Sequence, residues 1–336
     1  MKLTVIGMDI AKHVFQLHAI NAATGETERL KLKRGQLLDF FAKREPSLVA
    51  MEACGGAHHW ARQLQGLGHD VRLICARSVR PFVLRNKTDA TDARAIWTAV
   101  QQPDARFVAI KSEAQQAILA LHRLRAQLMK FRIMQTNALR GLLHEFGQTL
   151  PEGYQALSKA IPDALAMAAE HLPAMLVDSL REQWARVQAT DKDIAILEHR
   201  LKIALRENQQ CQRIAEIPGV GLLTATATVA TIGDPGTFRS GREFAAWLGL
   251  VPRQVGTGGK VRQLGLSKRG DTYLRTLLMH GARAVITRGI RSPWLDSLLQ
   301  RRPFNVVVAA MANKLARTIW AVLYRGTRYQ QASTAV

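Results

Sequence analysis

The sequence predicts an α/β N-terminal domain whose mixed sheet is flanked by helices, then a helical arm, then a mostly α-helical C-terminal domain. Three observations lead there. A short apolar run and two alternating stretches come first and give way to strand and helix patterns in turn. Two long stretches then repeat apolar residues every three or four positions. After Cys211 the composition becomes basic and punctuated by glycine. The regions span residues 1–110, 111–208 and 209–328, with a frayed tail at 329–336.

Leu3–Asp9 is a short apolar run, Ala11-Lys12-His13 turns the chain, and Val14–Ile20 alternates between apolar and polar. Glu28–Lys33 alternates again after Thr24-Gly25, so these three strands form an antiparallel meander. A helical stretch, Gln36–Arg44, ends before Pro46. A strand at Leu48–Glu52, a helix at Ala57–Leu67 and a strand at Asp70–Cys75 then follow as βα units, which add parallel strands to the meander. Another helix starts at Asp89 and runs toward Gln101.

In the middle region, Ile118, Leu121, Leu124, Leu128 and Phe131 mark a helix from Lys111 to about Gly147. A second helix, from about Pro173 to Asn208, carries Leu176, Leu180, Trp184, Val187, Ile194, Leu197 and Leu201 in an approximate heptad. This suits a two-helix coiled-coil arm, or an ordinary helical subdomain. In the C-terminal region, Ile217-Pro-Gly-Val-Gly221 opens a helix to about Ile232. Gln254–Gln263 reads as a hairpin around Gly256-Thr-Gly-Gly259, and long helices run from about Lys268 to Thr287 and from Asn305 to Arg325.

Charge narrows the function classes. The 336 residues carry 47 Lys and Arg against 26 Asp and Glu, a net of +21, divided as +6, +2 and +13 over the three regions. Such an excess predicts a polyanion partner, most often nucleic acid, and the last third is its expected surface. Cys54, Cys75 and Cys211 are too few and scattered for a disulfide framework or a four-cysteine zinc site, which fits a reducing cytoplasm. Asp9 and Lys12 interrupt any N-terminal signal core. Lys314 and Arg317 interrupt the most membrane-like stretch, Val306–Tyr324, so no membrane partner is expected. No Gly-x4-Gly-Lys-Ser/Thr occurs, which excludes a P-loop ATPase.

Against this basic background four acids stand out. Asp9 lies between Val5-Ile6-Gly7-Met8 and Ile10-Ala11, in a strand expected to be buried, where a lone carboxylate is costly unless paired or metal-bound. Glu52 ends the apolar strand Leu48-Val-Ala-Met51, and strand carboxyl ends are where sites in such sheets collect. Asp89 and Asp92 share one helical face at i, i+3. They read either as site residues or as first-turn acids behind a Thr88 cap. Together the four make a cage for hard divalent ions: Mg2+, two per site about 4 Å apart, activating an attacking oxygen and stabilising a leaving one in phosphodiester chemistry. The strand order resembles the RNase H-like nuclease fold.

The C-terminal motifs suit phosphate handling. The glycines of Ile217-Pro-Gly-Val-Gly221, Gly219 and Gly221, let backbone amides approach a phosphate as in a helix-hairpin-helix, or simply make a tight turn between helices. Ser267, placed before a long helix and near Lys260, Arg262, Lys268, Arg269 and Arg275, reads as an activated nucleophile or as a helix cap. A rival set, Arg262, His280-x-x-Arg283 and Tyr324, loosely follows the order of tyrosine recombinases but leaves the four acids unexplained.

In order and spacing, several motifs together resemble one family over nearly the whole chain. They are Gly7-Met-Asp9-Ile-Ala-Lys12, Met51-Glu52-Ala-Cys-Gly-Gly56, Lys87-Thr-Asp89-Ala-Thr-Asp92-Ala-Arg94, Ile217-Pro-Gly-Val-Gly221, Trp247-Leu-Gly-Leu-Val-Pro252 and Leu266-Ser267-Lys-Arg-Gly270. That family is the DEDD transposases of insertion sequences, the group called IS one-ten, in its IS eleven-eleven branch. The chain departs from many relatives at Ala76-Arg77, where they carry proline, and at Gly256, where they often carry serine.

The resemblance implies a RuvC-like (RNase H-like) N-terminal domain, a coiled-coil arm and a C-terminal transposase domain. It implies that Asp9, Glu52, Asp89 and Asp92 bind the metal and that Ser267 links covalently to DNA. It further implies a structured guide RNA, double-stranded donor and target DNA, a homodimer assembling into a dimer of dimers with sites composed from different subunits, and work at the bacterial nucleoid in the cytoplasm. Lys12, Lys87, Gly219, Gly221, Arg253, Lys260, Arg262, Lys268, Arg269 and Arg275 are the expected nucleic-acid contacts. Three other readings carry different residues: a RuvC-like junction nuclease with no covalent step, a tyrosine-type recombinase, and a non-catalytic nucleic-acid-binding protein.

Overall fold

A computed structural model describes residues 3–21, 24–83, 88–290 and 292–330. The chain divides into two compact units, Met1–Gln115 with Ile232–Thr237, and Gln116–Thr231 with Phe238–Val336.

The first unit is built on a six-stranded sheet of order β3-β2-β1-β4-β5-β6. The strands are β1 (Val5–Ile10), β2 (Val14–Ile20), β3 (Thr27–Lys33), β4 (Leu48–Glu52), β5 (Asp70–Ile74) and β6 (Phe107–Val108). The meander β1–β3 is antiparallel, β1, β4 and β5 are parallel, and β6 returns antiparallel to β5. The helices are α1 (Leu37–Ala42), α2 (Ala57–Gly66), α3 (Ala76–Val79) and α4 (Asp89–Val100). Alternation sorts the side chains between two faces. Ile6, Met8, Val49, Met51 and Leu73 join Leu37, Phe41, Trp60 and Leu64 in one core. Ala50 and Ile74 pack on the other face with Ala95, Ile96, Ala99 and Val100 of α4.

Two short elements of this unit escaped sequence reading. The four-residue α3 and the two-residue β6 are too brief for either periodicity to register, and β6 is a strand only because β5 presents an open edge to it.

The second unit begins with α5 (Glu113–Glu145), α6 (Tyr154–His171) and α7 (Ala174–Glu207). Arg125 pairs with Glu198 at 2.6 Å and Arg132 with Asp191, so α5 and α7 run antiparallel with a constant register. The expected two-helix arm contains a third helix at one end: Leu139 and Leu143 of α5 share a core with Leu157, Ile161 and Leu165 of α6 and with Leu180, Trp184 and Val187 of α7. Pro162 inside α6 hides it from propensity, because proline removes a backbone donor. Buried Leu157, Ile161, Leu165 and Ala168 hold the helix nonetheless.

The remaining elements are α8 (Gln209–Ala215), α9 (Leu222–Ile232), α10 (Gly241–Trp247), the hairpin β7 (Pro252–Thr257) and β8 (Lys260–Leu266), α11 (Thr272–Thr287), α12 (Pro293–Arg301) and α13 (Phe304–Arg325). Helix α11 starts four residues later than the expected Lys268. Asp271 is its cap, accepting from the Leu274 amide at 2.9 Å, so Ser267 stands in the loop before the helix and does not cap it. Among the described residues α13 is the one helix long and apolar enough to cross a membrane. Its buried Val308, Ala312, Leu315, Ala316 and Ile319 make it a core helix, and Lys314 and Arg317 are exposed.

Candidate active site and nucleic-acid interface

Asp9 owes its surroundings to a glycine two residues earlier. On β1, Gly7 and Asp9 share the face toward α4. A Cβ at Gly7 would stand 2.3 Å from the Ala93 carbonyl oxygen and 2.6 Å from the Trp97 nitrogen, so only glycine lets the α4 backbone lie directly on the strand. Trp97 pins the far end, its Nε1 donating to the Val5 carbonyl at 3.1 Å. With Ala93 over Gly7, the first turn of α4 carries Asp89 and Asp92 toward Asp9. Thr88 caps that turn and accepts from the Thr91 amide. Glu52 comes from the neighbouring parallel strand, where Met8 is in register with Met51, so Asp9 and Glu52 are the next residues along both strands.

The convergence registers electrostatically. Burial, then the charges of Asp92, Asp89 and Glu52, push the Asp9 carboxyl up from the ordinary 3.8 to about 6. The Cys54 thiol is raised as well, by burial and then by Glu52 and Asp9. Four carboxylates in one neighbourhood are an all-oxygen donor set with a negative charge that a hard divalent cation neutralises, so these residues fit Mg2+. Among the described residues no three His, Cys, Asp or Glu side chains form a closed ligating group. Lys12 is exposed in the β1–β2 turn, and Lys87 lies outside the described residues.

Two motifs that sequence reading quoted separately lock together around Ser267. The Ser267 amide donates to Val251 at 2.9 Å and the Lys268 amide to Gly249 at 3.2 Å. Gly249 (φ 73°) and Gly270 (φ 79°) let the two backbones touch: a Cβ at Gly270 would stand 1.8 Å from the Trp247 carbonyl oxygen. Arg275 turns inward to donate to the carbonyls of Leu248 at 2.9 Å and Arg269 at 3.0 Å, so its guanidinium ties this loop down. Lys268 has φ 51°, the one non-glycine residue in the left-handed region among the described residues. Ser267 Oγ is buried and has no hydrogen-bond partner. An unsatisfied hydroxyl beside a strained backbone makes Ser267 a candidate site residue, because neither contributes to stability.

The basic side chains fall on different surfaces. Hairpin β7–β8 exposes nearly its whole length to solvent, with Arg253, Lys260 and Arg262 all exposed. A two-stranded ribbon with so little buried beneath it is shaped to meet a groove or another surface. Lys268 and Arg269 are exposed beside Ser267. Gly219 (φ 90°) has a packing role, since a Cβ there would meet the Gly281 carbonyl of α11 at 2.8 Å, whereas Gly221 is exposed with open space before it. In the rival set, Arg283 donates to Asn305 and covers Phe304, while Tyr324 stacks on Trp320. The residues sequence reading left out of the site are Gly7, Gly249 and Trp97. The detectable signal was glycine inside a strand and before a loop.

Comparison with known proteins gives two family matches. Residues 6–147 match a DEDD transposase family and residues 211–299 match the "Transposase IS116/IS110/IS902 family". The chain is 48% identical to a "Probable family 20 transposase" of Pseudomonas aeruginosa, over 98% of this chain and 99% of the relative. It is 40% identical to the "Transposase for insertion sequence element IS1111A" of Coxiella burnetii, over 98% and 92% of the two chains. The "Transposase for insertion sequence element IS1328" of Yersinia enterocolitica is also 40% identical, over 98% and 99%.

Proposed function

The chain belongs to the IS110/IS116/IS902 family of DNA transposases, and on that premise we propose that it cuts and rejoins DNA through Ser267 and a four-acid metal site, directed by a structured RNA. The observation that carries the reading is the convergence of Asp89, Asp92 and Glu52 on Asp9. The sheet order β3-β2-β1-β4-β5, an antiparallel meander continued by parallel strands, supports an RNase H-like (RuvC-like) assignment of this unit. Asp9, Glu52, Asp89 and Asp92 would hold Mg2+, two ions per site, which supplies Lewis-acid stabilisation of phosphate oxygens.

The serine step balances without any further reactant. Ser267 Oγ loses its proton and attacks the phosphorus, the bond from phosphorus to one deoxyribose oxygen breaks, and that oxygen leaves as a hydroxyl after taking up a proton. The phosphodiester joining Ser267 to DNA preserves the bond for transfer: a second DNA hydroxyl attacks it and restores the serine. The orphaned Oγ supports this role, because a hydroxyl without a protein partner needs none displaced before it acts. Lys268 and Arg269 stand ready for the charge of the transition state.

Arg253, Lys260 and Arg262 on the exposed ribbon, with Lys12, Lys87, Gly221, Lys268 and Arg269, would contact donor and target DNA or the guide RNA at the nucleoid. A second copy is expected on the arm, where α5 exposes Leu124 and Phe131 and α7 exposes Ile196 and Ile203, each pair one heptad apart. Two such dimers would complete the assembly and compose sites from different subunits.

The test traps labelled DNA on the purified chain under denaturing conditions and maps the adduct. A covalent link that maps to Ser267 and disappears in Ser267→Ala supports the reading; an adduct surviving that substitution overturns it. A junction nuclease leaves no adduct, and a tyrosine recombinase loses its adduct in Tyr324→Phe. Sequencing the RNA that copurifies should yield one abundant structured species, and a random population of cellular RNA contradicts guidance.

A further inference from the structure

A large cleft in the second unit involves none of the residues discussed for catalysis. A cleft of about 1670 Å3 runs from the base of the β7–β8 hairpin, at Pro252 and Leu264–Leu266, along α13 to Gln330. Arg242, Lys314, Arg317, Arg325 and Arg328 line it, and no Asp or Glu does; Arg328 pairs with Glu216 outside the lining at 3.9 Å, which leaves the other four for a ligand. All five are exposed. Between the cations stand flat surfaces. Trp294 is 37% exposed with the Lys314 ammonium 4.4 Å from its ring centroid, and Trp320 stacks on Tyr324 at 4.8 Å with the rings 13° from parallel. Small residues, Ala309, Ala310 and Ala321, are also among its lining.

This combination selects a ligand class. The volume exceeds the roughly 300–1,000 Å3 of small-molecule pockets, so the occupant is extended. Five cations with no carboxylate among the lining residues, four of them apart from the Arg328–Glu216 pair, call for a polyanion. Aromatic rings set among them offer stacking surfaces, which a base can use only when it is not already stacked in a duplex. An acidic peptide would satisfy the charges but leave the tryptophans without a matching flat partner. A duplex presents its phosphates and keeps its base faces hidden.

We infer that this cleft binds an unpaired strand of DNA, with phosphates on Arg242, Lys314, Arg317 and Arg325 and bases against Trp294 and the Trp320 pair. The inference rests on the reading of the chain as a DNA strand-cutting enzyme, since cutting and rejoining separates strands and leaves unpaired DNA to be held. It does not depend on Ser267 or on the four acids.

The test uses the full chain and three labelled 15-mers, oligo-dT, oligo-rU and a duplex, followed by fluorescence anisotropy from 50 to 300 mM salt, with tryptophan emission recorded in parallel. Expected are tighter binding of oligo-dT than of duplex, quenched tryptophan emission, and a fall of log affinity against log salt with slope about −3 for four phosphate contacts. Arg317→Gln and Arg325→Gln should each flatten the slope by about 0.7, and Trp294→Ala should weaken oligo-dT about tenfold. The two arginines are exposed, so these variants remain informative if a tryptophan variant folds poorly. Ser267→Ala and Asp9→Ala should bind oligo-dT like the wild type while losing cleavage, which separates failure of the cleft from failure of the catalytic reading. Duplex binding as tight as oligo-dT, or oligo-dT binding indifferent to the arginine variants, overturns the inference. Oligo-rU bound more tightly than oligo-dT overturns the assignment to DNA. A second copy in the cleft would appear as self-association abolished by Arg317→Glu with no oligo-dT bound, and overturns the inference too.

Discussion

Protonation of one buried histidine should cost the second unit a measurable part of its stability. His122 on α5 is 2% exposed and bonded at both ring nitrogens, Nε2 to Thr226 Oγ1 and Nδ1 to Tyr273 Oη, each at 3.0 Å. Thr226 has one hydroxyl proton and directs it to the Leu222 carbonyl at 2.8 Å. Its oxygen must therefore accept, which makes His122 Nε2 the donor and leaves Nδ1 to accept from the Tyr273 hydroxyl. The ring is neutral, and it ties α5 to α9 and to the first turn of α11, five residues beyond Ser267. Burial, then the charge of Arg125, lowers its pKa from the ordinary 6.5 to about 4.

A depressed histidine pKa means that the unfolded chain binds the proton more readily than the folded one. The stability involved is fully present above pH 6.5, declines by about 1.4 kcal/mol per pH unit as pH falls below that, and is exhausted near pH 4, a total of about 3 kcal/mol. The chain has ten histidines, so the wild-type curve alone does not isolate this one. His122→Gln retains a donor for Thr226 and abolishes the titration. Urea midpoints of both proteins, measured from pH 4 to 7.5, should differ in favour of the wild type at neutral pH, and the difference should shrink or reverse toward pH 4. A difference that stays constant across that range would refute the buried neutral ring.

The remaining expectations concern the two motif clusters. Gly7→Ala should push α4 off β1, destabilising the first unit by about 1–3 kcal/mol and suppressing DNA cleavage; a stable, fully active variant would break the link between that glycine and the acids. Gly270→Ala, with φ 79° and a contact of 1.8 Å to the Trp247 carbonyl, should abolish the DNA adduct while Ser267 is still present, which peptide mapping after the trapping reaction would reveal. Ser267→Ala should remove the adduct and raise stability by up to about 1 kcal/mol, since it deletes a buried hydroxyl with no partner; a marked loss in thermal melting would mean that the hydroxyl is structural. Saturating Mg2+ should raise the melting temperature of the wild type by several degrees and that of Asp9→Ala much less, and equal shifts would place the ion elsewhere.

Local pattern carried much of this architecture. Apolar runs and alternation marked β1 to β5 to within two residues, and α7 was marked by a stripe that it buries, because each of those elements records its buried face in its own few residues; the stripe that marked α5 is instead partly exposed, at Leu124 and Phe131. The four acids and Ser267 stood out as candidates for a related reason: carboxylates in apolar strands and a serine among cations are locally anomalous, whatever surrounds them. Elements that depend on a distant partner stayed hidden. Helix α6 forms across Pro162 because α5 and α7 supply its core, and β6 exists because β5 leaves an edge. Tertiary structure alone decided that Gly7 seats α4 so that Asp89 and Asp92, some 80 residues along the chain, face Asp9, that Gly249 and Gly270 clasp the loop of Ser267, and that α13 and the hairpin enclose a basic, tryptophan-lined cleft. Periodicity reports which face of an element is apolar. Which face meets which is settled only by close approach of backbones, where a missing Cβ decides the fit.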